Sequence, residues 1–421
     1  MERMLQYIWK HRLFDETNFV TTDGTPVSVI DTGISNTDAG PDFFNAKIRI
    51  GDNVWVGNVE IHERSSDWLH HRHQVNKLYD TVILHIVRHA DATICRTNGD
   101  PILQAVMVVP GKIERNIEWL LARDAPVSCA ERLASISSLH LSAWLSALLM
   151  ERLERKTEDI FVRLKKNLND WNEIFYITLV RNFGFGVNSD AFELLAASLP
   201  YKYILKHRNN PVQVEALFFG QAGLLDDETD EPYYRILRRD YNFLRTKYKL
   251  RPVDSFLFKK LRVRPVNFPH VRLAQLAALW VKHDVLFSKI LETEDVKALR
   301  AFFTIEPSEY WLTHYRFDMV SDKKKKSVGK HATDIILINT VIPTLFAYGK
   351  YANRPEYCER ALRFFEEIAP ERNSIVSLYR RLGVSVKNAG ESQAIIQMRR
   401  EYCEKKKCLY CRIGFRVIGN S

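Results

Sequence analysis

Residues 41–62 read PDFFNAKIRIGDNVWVGNVEIH. Apolar and polar residues alternate on both sides of the turn Gly51-Asp52-Asn53, which is the pattern of a β-hairpin. With the turn at these three residues, Asp42 should lie opposite His62, and Glu60 should lie one pair further in. Glu60 and His62 are two residues apart, so they should point to the same face. The stretch therefore predicts two carboxylates and an imidazole at the open end of a hairpin.

Further strands are predicted around this hairpin. Residues 27–31 alternate, residues 81–87 are mostly apolar as in a strand buried on both faces, and residues 102–109 form another apolar run. From residue 113 onward, apolar residues recur at three- and four-residue spacing, which indicates helices. We therefore expect an α+β protein. Its expected parts are a mixed-sheet domain over residues 1–125, a large all-α domain over 126–400 and a short cysteine-containing tail over 401–421.

The composition is that of a globular protein, with 46% hydrophobic and 27% charged residues in a chain of 421. Six cysteines are too few for a disulfide scaffold, and residues 1–14 lack the apolar run of a signal peptide. We expect the apolar stretch 335–349 to be too short and too polar to span a bilayer. These features predict a cytoplasmic protein without a membrane partner. The formal net charge of +10 is a mild excess, consistent with an anionic partner.

Histidines are concentrated directly after the hairpin. Six of the 13 histidines fall between residues 62 and 89, and the densest part reads DWLHHRH over residues 67–73. His71 and His73, with Asp67 nearby, form a candidate set of metal or phosphate ligands. His85 lies in an apolar strand, where it is either part of the site or a structural imidazole with a hydrogen-bond partner. A site this rich in imidazole would suit Zn²⁺ or Mn²⁺ as readily as Mg²⁺.

Three of the six cysteines, Cys403, Cys408 and Cys411, lie within nine residues. Thiolates at this spacing suit Zn²⁺ or an iron–sulfur cluster. A fourth ligand must come from elsewhere, and Cys129 is the candidate because it lies at the junction of the sheet and helical domains. The alternative is three reduced cysteines in a docked tail.

Residues 232–272 carry the strongest block of positive charge, interleaved with aromatic residues. Such a pattern can follow a phosphate backbone and stack bases, although a solvated helix face over a core stripe has the same composition. Glycine-rich loops of the GxGxxG or GxxxxGK[ST] type do not occur in the sequence, which disfavours a nucleotide cofactor. The basic residues that we expect to contact DNA or RNA are Arg238, Arg239, Arg245, Lys247 and Lys249.

The order of Pro41-Asp42, a hairpin and Glu60-Ile61-His62 resembles the PD-(D/E)XK nuclease superfamily. The resemblance implies that Asp42 and Glu60 hold a divalent metal ion, Mg²⁺ or Mn²⁺, and that His62 stands where the superfamily usually has a lysine. It also implies cleavage of nucleic-acid phosphodiesters. Some nucleases of this superfamily hold a [4Fe–4S] cluster through one upstream and three downstream cysteines, whereas here Cys129 follows the nuclease-like core. The alternative is a hairpin whose polar residues only cap a turn and face solvent.

Segments along the whole chain also resemble an uncharacterised bacterial family, a domain of unknown function. They include GNVEIH at 57–62, FGQAGLL at 219–225, RPVNFP at 264–269 and CLYCRIG at 408–414. This resemblance supplies no activity, so three hypotheses remain. The leading one is a metal-dependent nuclease-like protein. The others are a non-catalytic nucleic-acid-binding module with a degenerate nuclease fold, and a structural or protein-interaction protein with a zinc staple.

Overall fold

In the computed structural model, which describes residues 2–227, 229–261 and 263–419, the chain divides into two compact units. One unit contains the residues up to Trp144 together with those from Met398 onward, and the other spans Leu145–Gln397. The first unit holds a mixed β-sheet and the second is mostly helical, so the predicted α+β class is confirmed. The cysteine-containing tail belongs to the sheet unit.

The described residues contribute six strands to the sheet of the first unit. They are β1 (Val27–Asp31), β2 (Ile34–Ser35), β3 (Phe43–Ile50), β4 (Asn53–Arg64), β5 (Val82–His89) and β6 (Gln104–Val106). The strand order is β1-β3-β4-β5-β6, and β2 pairs with β3. Pairing is antiparallel among the first four strands but parallel between β4 and β5 and between β5 and β6. Most of β5 is buried, as its apolar sequence predicts.

The register of the β3–β4 hairpin differs from the prediction. Ile50 pairs with Asn53, so the turn contains two residues rather than three. A bulge between Phe43 and Ala46 then shifts the pairing by one further residue. Asn45 lies in this bulge with a left-handed backbone (φ 54°), a conformation that asparagine tolerates better than most residues.

The shorter turn and the bulge together decide which side chains meet at the open end of the hairpin. Each moves the partner of Asp42 by one residue along β4. Because Phe43 pairs with Val59, Asp42 lies beside Glu60, and the prediction that it lies opposite His62 is wrong.

Helices account for most of the remaining chain. In chain order they are α1 (Glu2–Lys10), α2 (Asp67–His70), α3 (Gly111–Ala122), α4 (Ser138–Lys166), α5 (Trp171–Phe183), α6 (Ser189–Ser198), α7 (Tyr201–His207), α8 (Pro211–Gln221), α9 (Pro232–Tyr248), α10 (Pro269–Lys282), α11 (Leu286–Glu292), α12 (Val296–Phe302), α13 (Lys330–Ile336), α14 (Ile342–Tyr351), α15 (Pro355–Glu367), α16 (Ser374–Arg381), α17 (Ala389–Gln397) and α18 (Arg412–Gly419). Amphipathic α1 buries Leu5, Ile8 and Trp9, and the Trp9 indole donates to the Thr32 carbonyl (3.1 Å).

The second unit has a helical core with one small β element. Helices α8 and α10 are buried on nearly all sides, as expected for the central helices of a large helical unit. Strands β7 (His314–Arg316) and β8 (Met319–Val320) form an antiparallel pair that the sequence did not predict. Strands this short carry too few residues for a recognisable alternation.

Among the residues that the structure describes, one continuous helical segment, Lys330–Tyr351, is long and apolar enough to cross a membrane by length and composition alone. Its most apolar window has a mean hydropathy of 1.3, and 78% of that window is buried inside the protein. The segment joins α13 and α14 through a π-helical turn, Leu337–Val341.

A candidate metal centre at the open end of the hairpin

Asp42 and Glu60 meet through reciprocal hydrogen bonds between their strands. The Asp42 N–H donates to Glu60 Oε2 (2.9 Å), and the Ile61 N–H donates to Asp42 Oδ2 (3.0 Å). Gln6 of α1 donates from Nε2 to Asp42 Oδ1 (2.8 Å). Protein donors therefore engage both oxygens of Asp42, whereas Glu60 Oε1 stays open to another group.

His62 lies on the same face as Glu60, as predicted, and heads a chain of hydrogen bonds across the sheet. Its Nδ1 lies 2.9 Å from His85 Nε2, and His85 Nδ1 lies 3.4 Å from Gln104 Oε1. The Gln104 amide in turn donates to the Ala92 carbonyl (3.0 Å). With Gln104 Oε1 as the acceptor, both histidines donate from Nδ1. His62 Nε2 then carries a lone pair, which is the state of a ligating imidazole.

His71 and His73 lie on the segment that follows β4, and their rings approach His62 and Glu60. Arg72, between them, has a left-handed backbone (φ 59°). His71 is exposed, whereas His73 is only 7% exposed and stacks on Tyr79 with 3.6 Å between ring centroids. Among the described residues, neither ring nitrogen of His73 has a hydrogen-bond partner. A buried imidazole without a hydrogen bond at either nitrogen is costly, which points to a ligand that the chain itself does not supply.

The side-chain atoms of these residues that could bind a metal ion are as far apart as the ligand atoms of known metal sites. His62 Nε2 is 3.1 Å from His71 Nδ1 and 3.5 Å from Glu60 Oε1, and Glu60 Oε1 is 3.4 Å from His73 Nε2. Ligands about 2.1 Å from a tetrahedral ion lie about 3.4 Å from one another. The ligand atoms of His62, His71 and His73 also lie within 4.8 Å of one another. The geometry fits a centre of three imidazoles, with the Glu60 carboxylate beside two of them, His62 and His73.

Burial sets the protonation of these groups. It raises the pKa of Asp42 to about 7, with the Glu60 charge as the second cause, and it raises the pKa of Glu60 to about 8. It lowers the pKa of His62 to about 2, helped by neighbouring imidazoles, and the pKa of His85 to about 4. Neutral imidazoles are the form that binds metal ions, and a bound cation would favour the ionised carboxylates.

Asp67 does not join this cluster. Its carboxylate accepts the Arg64 N–H (2.9 Å) and lies 3.6 Å from His70 Nδ1, so it organises the turn that begins α2. Sequence reasoning missed Gln6, Tyr79 and Gln104, which support the site. Gln104 carried a usable signal, since a glutamine in an otherwise apolar strand needs a buried partner.

A groove of about 910 Å³ lies in the same unit and reaches Gln6 and Phe43, which neighbour Asp42. It is formed by α1, α3 and the tail, and one acidic residue, Glu118, is among the described residues that line it. Tyr410 in its wall is 69% exposed. The basic residues that line the groove are Arg3, Lys10, His11, Lys406, Lys407 and Arg412.

The structure brings Cys129 together with the three tail cysteines. Burial, and then the charges of Cys411, Cys403 and Cys408, raise the pKa of Cys129, so all four thiols lie close enough to interact. Ser128 hydrogen-bonds to the Cys408 thiol and so links the two segments directly.

The basic block of residues 232–272 lies in the second unit, and its first part is on α9. Tyr241 and Leu244 are buried beneath that helix, whereas Phe243 is 61% exposed beside Lys247. Helix α9 is therefore amphipathic, with aromatic residues mostly on its buried side. Of the predicted basic residues Arg238 is partly buried, and those that are exposed are Arg239, Arg245, Lys247 and Lys249.

A family model described as "Protein of unknown function (DUF2851)" matches residues 2–374. No curated protein and no solved structure matches the chain. The matched range includes the hairpin, the histidines and Cys129, and it ends before the three tail cysteines. Because the match covers most of its 421 residues, the chain belongs to the DUF2851 family of proteins of unknown function.

Proposed function

We propose that the protein is a metal-dependent nuclease that cleaves phosphodiester bonds of DNA or RNA. The observation that carries the proposal is the cluster of His62, His71 and His73, whose ligand atoms lie within 4.8 Å of one another, with Glu60 Oε1 3.4–3.5 Å from two of the three imidazoles. The resemblance of the hairpin to PD-(D/E)XK nucleases supports the same reaction class.

Glu60, His62, His71 and His73 would hold the ion. Three imidazoles and one carboxylate suit Zn²⁺ or Mn²⁺ better than Mg²⁺, which prefers oxygen ligands in octahedral geometry. An ion of this kind polarises a phosphoryl oxygen and makes a bound water more acidic. His85 and Gln104 hold the His62 ring so that its Nε2 would face the ion.

Asp42 acts as a positioning residue in this proposal, rather than as the ligand that the sequence suggested. Its backbone N–H holds Glu60 Oε2, which directs Oε1 towards the imidazoles. Its own oxygens are engaged by Gln6 and the Ile61 N–H, so α1, β3 and β4 are fixed around the site.

The groove supports nucleic acid as the substrate. Five lysine and arginine residues against one acidic residue match the charge of a phosphate backbone, while burial lowers the pKa of His11 and keeps it neutral. Exposed Tyr410 offers a surface on which a base can stack. Because Gln6 lines the groove and bonds to Asp42, a strand bound there would pass close to the candidate centre.

The test is cleavage of fluorescent single- and double-stranded DNA and RNA by metal-stripped protein reloaded with Zn²⁺, Mn²⁺ or Mg²⁺. We expect products only after reloading, and a loss of at least about 100-fold in Glu60→Gln and His73→Ala. His70→Ala is the matched control, because His70 lies on the same segment with its side chain 73% exposed.

The other two hypotheses predict different results in the same assay. Binding with a steep salt dependence but no cleavage under any metal would refute the nuclease and select a binding module. No affinity for any nucleic acid at low salt would select a structural or protein-interaction role.

A further inference from the structure

Four cysteines converge in the first unit from two distant parts of the chain. Cys129 directly precedes a 3-10 helix, Ala130–Ser135. In the tail, Cys403 ends a π-helical turn, Met398–Cys403, while Cys408 begins a 3-10 turn and Cys411 directly precedes α18. π-Helical turns are rare and are frequent at functional sites.

Close contacts hold these segments together. The Ser128 hydroxyl bonds to the Cys408 thiol, and the backbone N–H groups of Ile413 and Gly414 point at the Cys411 sulfur. A side chain at Gly414 would overlap the Cys408 carbonyl oxygen, so glycine is required for the 3-10 turn to close on α18. Hydrogen bonds to sulfur of this kind are a feature of metal-bound thiolates.

The surroundings suit an anionic group of thiolates. Four thiolates this close repel one another, so they could share this space only with a bound cation. Between the first two tail cysteines lie three lysines, Lys405, Lys406 and Lys407, and one acid, Glu404. Arg412 follows the third cysteine, so the sequence around the site is net positive.

The spacing of the sulfur atoms favours a cluster over a single ion. With Zn–S bonds of about 2.3 Å, the four sulfurs of a tetrahedral zinc site lie about 3.8 Å apart. Within residues 2–227, 229–261 and 263–419, no three cysteine sulfurs lie within 4.8 Å of one another. An iron–sulfur cluster spreads its thiolates over several irons and holds them farther apart.

We propose that Cys129, Cys403, Cys408 and Cys411 bind an iron–sulfur cluster that fixes the tail against the sheet unit. Leu409 lies between two of these ligands and lines the groove, so the cluster would also fix that wall. The proposal does not depend on nuclease activity, because its ligands and its measurement are separate from the histidine centre.

The experiment is anaerobic purification of the full-length protein, with iron, sulfide and zinc analysis and a visible spectrum. We expect about four irons and four sulfides per chain and broad visible absorption that dithionite bleaches. Serine at any one of the four positions should remove most of the iron, whereas Cys95→Ser and Cys358→Ser should retain it.

Two results would overturn the proposal. One is stoichiometric zinc without a chromophore, and the other is no cluster even after reconstitution with Fe²⁺ and sulfide. Mössbauer spectra of the unmutated protein decide the case without variants, so a serine variant that fails to fold does not prevent the test.

Discussion

Replacing Glu60 with glutamine isolates the electrostatic cost of the carboxylate pair when no ion is bound. In the metal-free protein, burial raises the pKa of Glu60 from 4.5 to about 8. Between these pH values the unfolded chain is ionised there while the folded chain keeps the proton. Folded protein then binds more protons, so its stability falls as the pH rises from about 4.5 to about 8.

A pKa change from 4.5 to about 8 corresponds to about 5 kcal/mol at 1.36 kcal/mol per pH unit. Asp42 shares part of this cost, because its own pKa is raised by burial and by Glu60. We therefore expect Glu60→Gln to be more stable than the unmutated protein by about 2–5 kcal/mol at pH 8. For a chain of this length, two kcal/mol corresponds to about 2 °C in Tm when the whole chain unfolds together. Glutamine still accepts the Asp42 N–H through its amide oxygen, so that hydrogen bond is retained.

The buried imidazoles change the stability with pH in the opposite direction to Glu60. Burial lowers the pKa values of His62 and His73, so stability falls as the pH drops below about 6.5. This contribution is present in both proteins, which is why the difference between them is the quantity to measure.

The assay is thermal unfolding of EDTA-treated protein by circular dichroism at pH 5 to 9. Asp52→Asn is the control, because Asp52 is exposed at the opposite end of the hairpin. Added Zn²⁺ should raise the Tm of the unmutated protein more than that of the variant, because the ion binds the folded state. Parallel pH profiles of the unmutated protein and Glu60→Gln would refute the reasoning.

Three further predictions concern the two binding surfaces. His73→Ala should weaken Zn²⁺ binding at least about 10-fold in calorimetry while His70→Ala leaves it unchanged, and equal affinities would remove His73 from the ligand set. Gln104→Leu should weaken Zn²⁺ binding about 10- to 100-fold, because the imidazole chain loses its acceptor; unchanged affinity would show that the chain does not orient the ligand. Lys10→Ala and Lys407→Ala should each lower the slope of log K against log salt by about 0.7 for a single strand in anisotropy titrations, and unchanged slopes would place the strand outside the groove.

The alternation of apolar and polar residues was sufficient to predict the strands and the shared face of Glu60 and His62, because side chains alternate strictly along a strand. It was not sufficient for the register, since the bulge at Asn45 depends on one left-handed residue with no apolar signature. The two-residue turn and the bulge each shift the register by one residue, and together they place Asp42 beside Glu60 rather than His62.

The rest of the candidate site depends on contacts between distant segments. The histidine run indicated ligands but not which ring is buried; that distinction follows from the chain reversal at Arg72 and the stacking of His73 on Tyr79. Cysteine spacing likewise indicated three ligands, whereas the approach of Cys129 depends on how the tail packs within the sheet unit. Such information resides in tertiary packing rather than in any window of sequence.

The hydrogen bonds of the site bear directly on the kind of ion it would select. Mg²⁺ needs several oxygen ligands, yet both oxygens of Asp42 and one oxygen of Glu60 already accept protein N–H groups. The same bonds leave one oxygen of Glu60 beside the imidazoles of His62 and His73. The hydrogen bond to His85 turns the Nε2 lone pair of His62 towards that oxygen. A nitrogen-rich donor set favours a transition ion over Mg²⁺. Asp42 and Glu60 would therefore not bind the ion together. Asp42 would hold Glu60 in place, and Glu60 would offer one oxygen to a centre formed mainly by histidines.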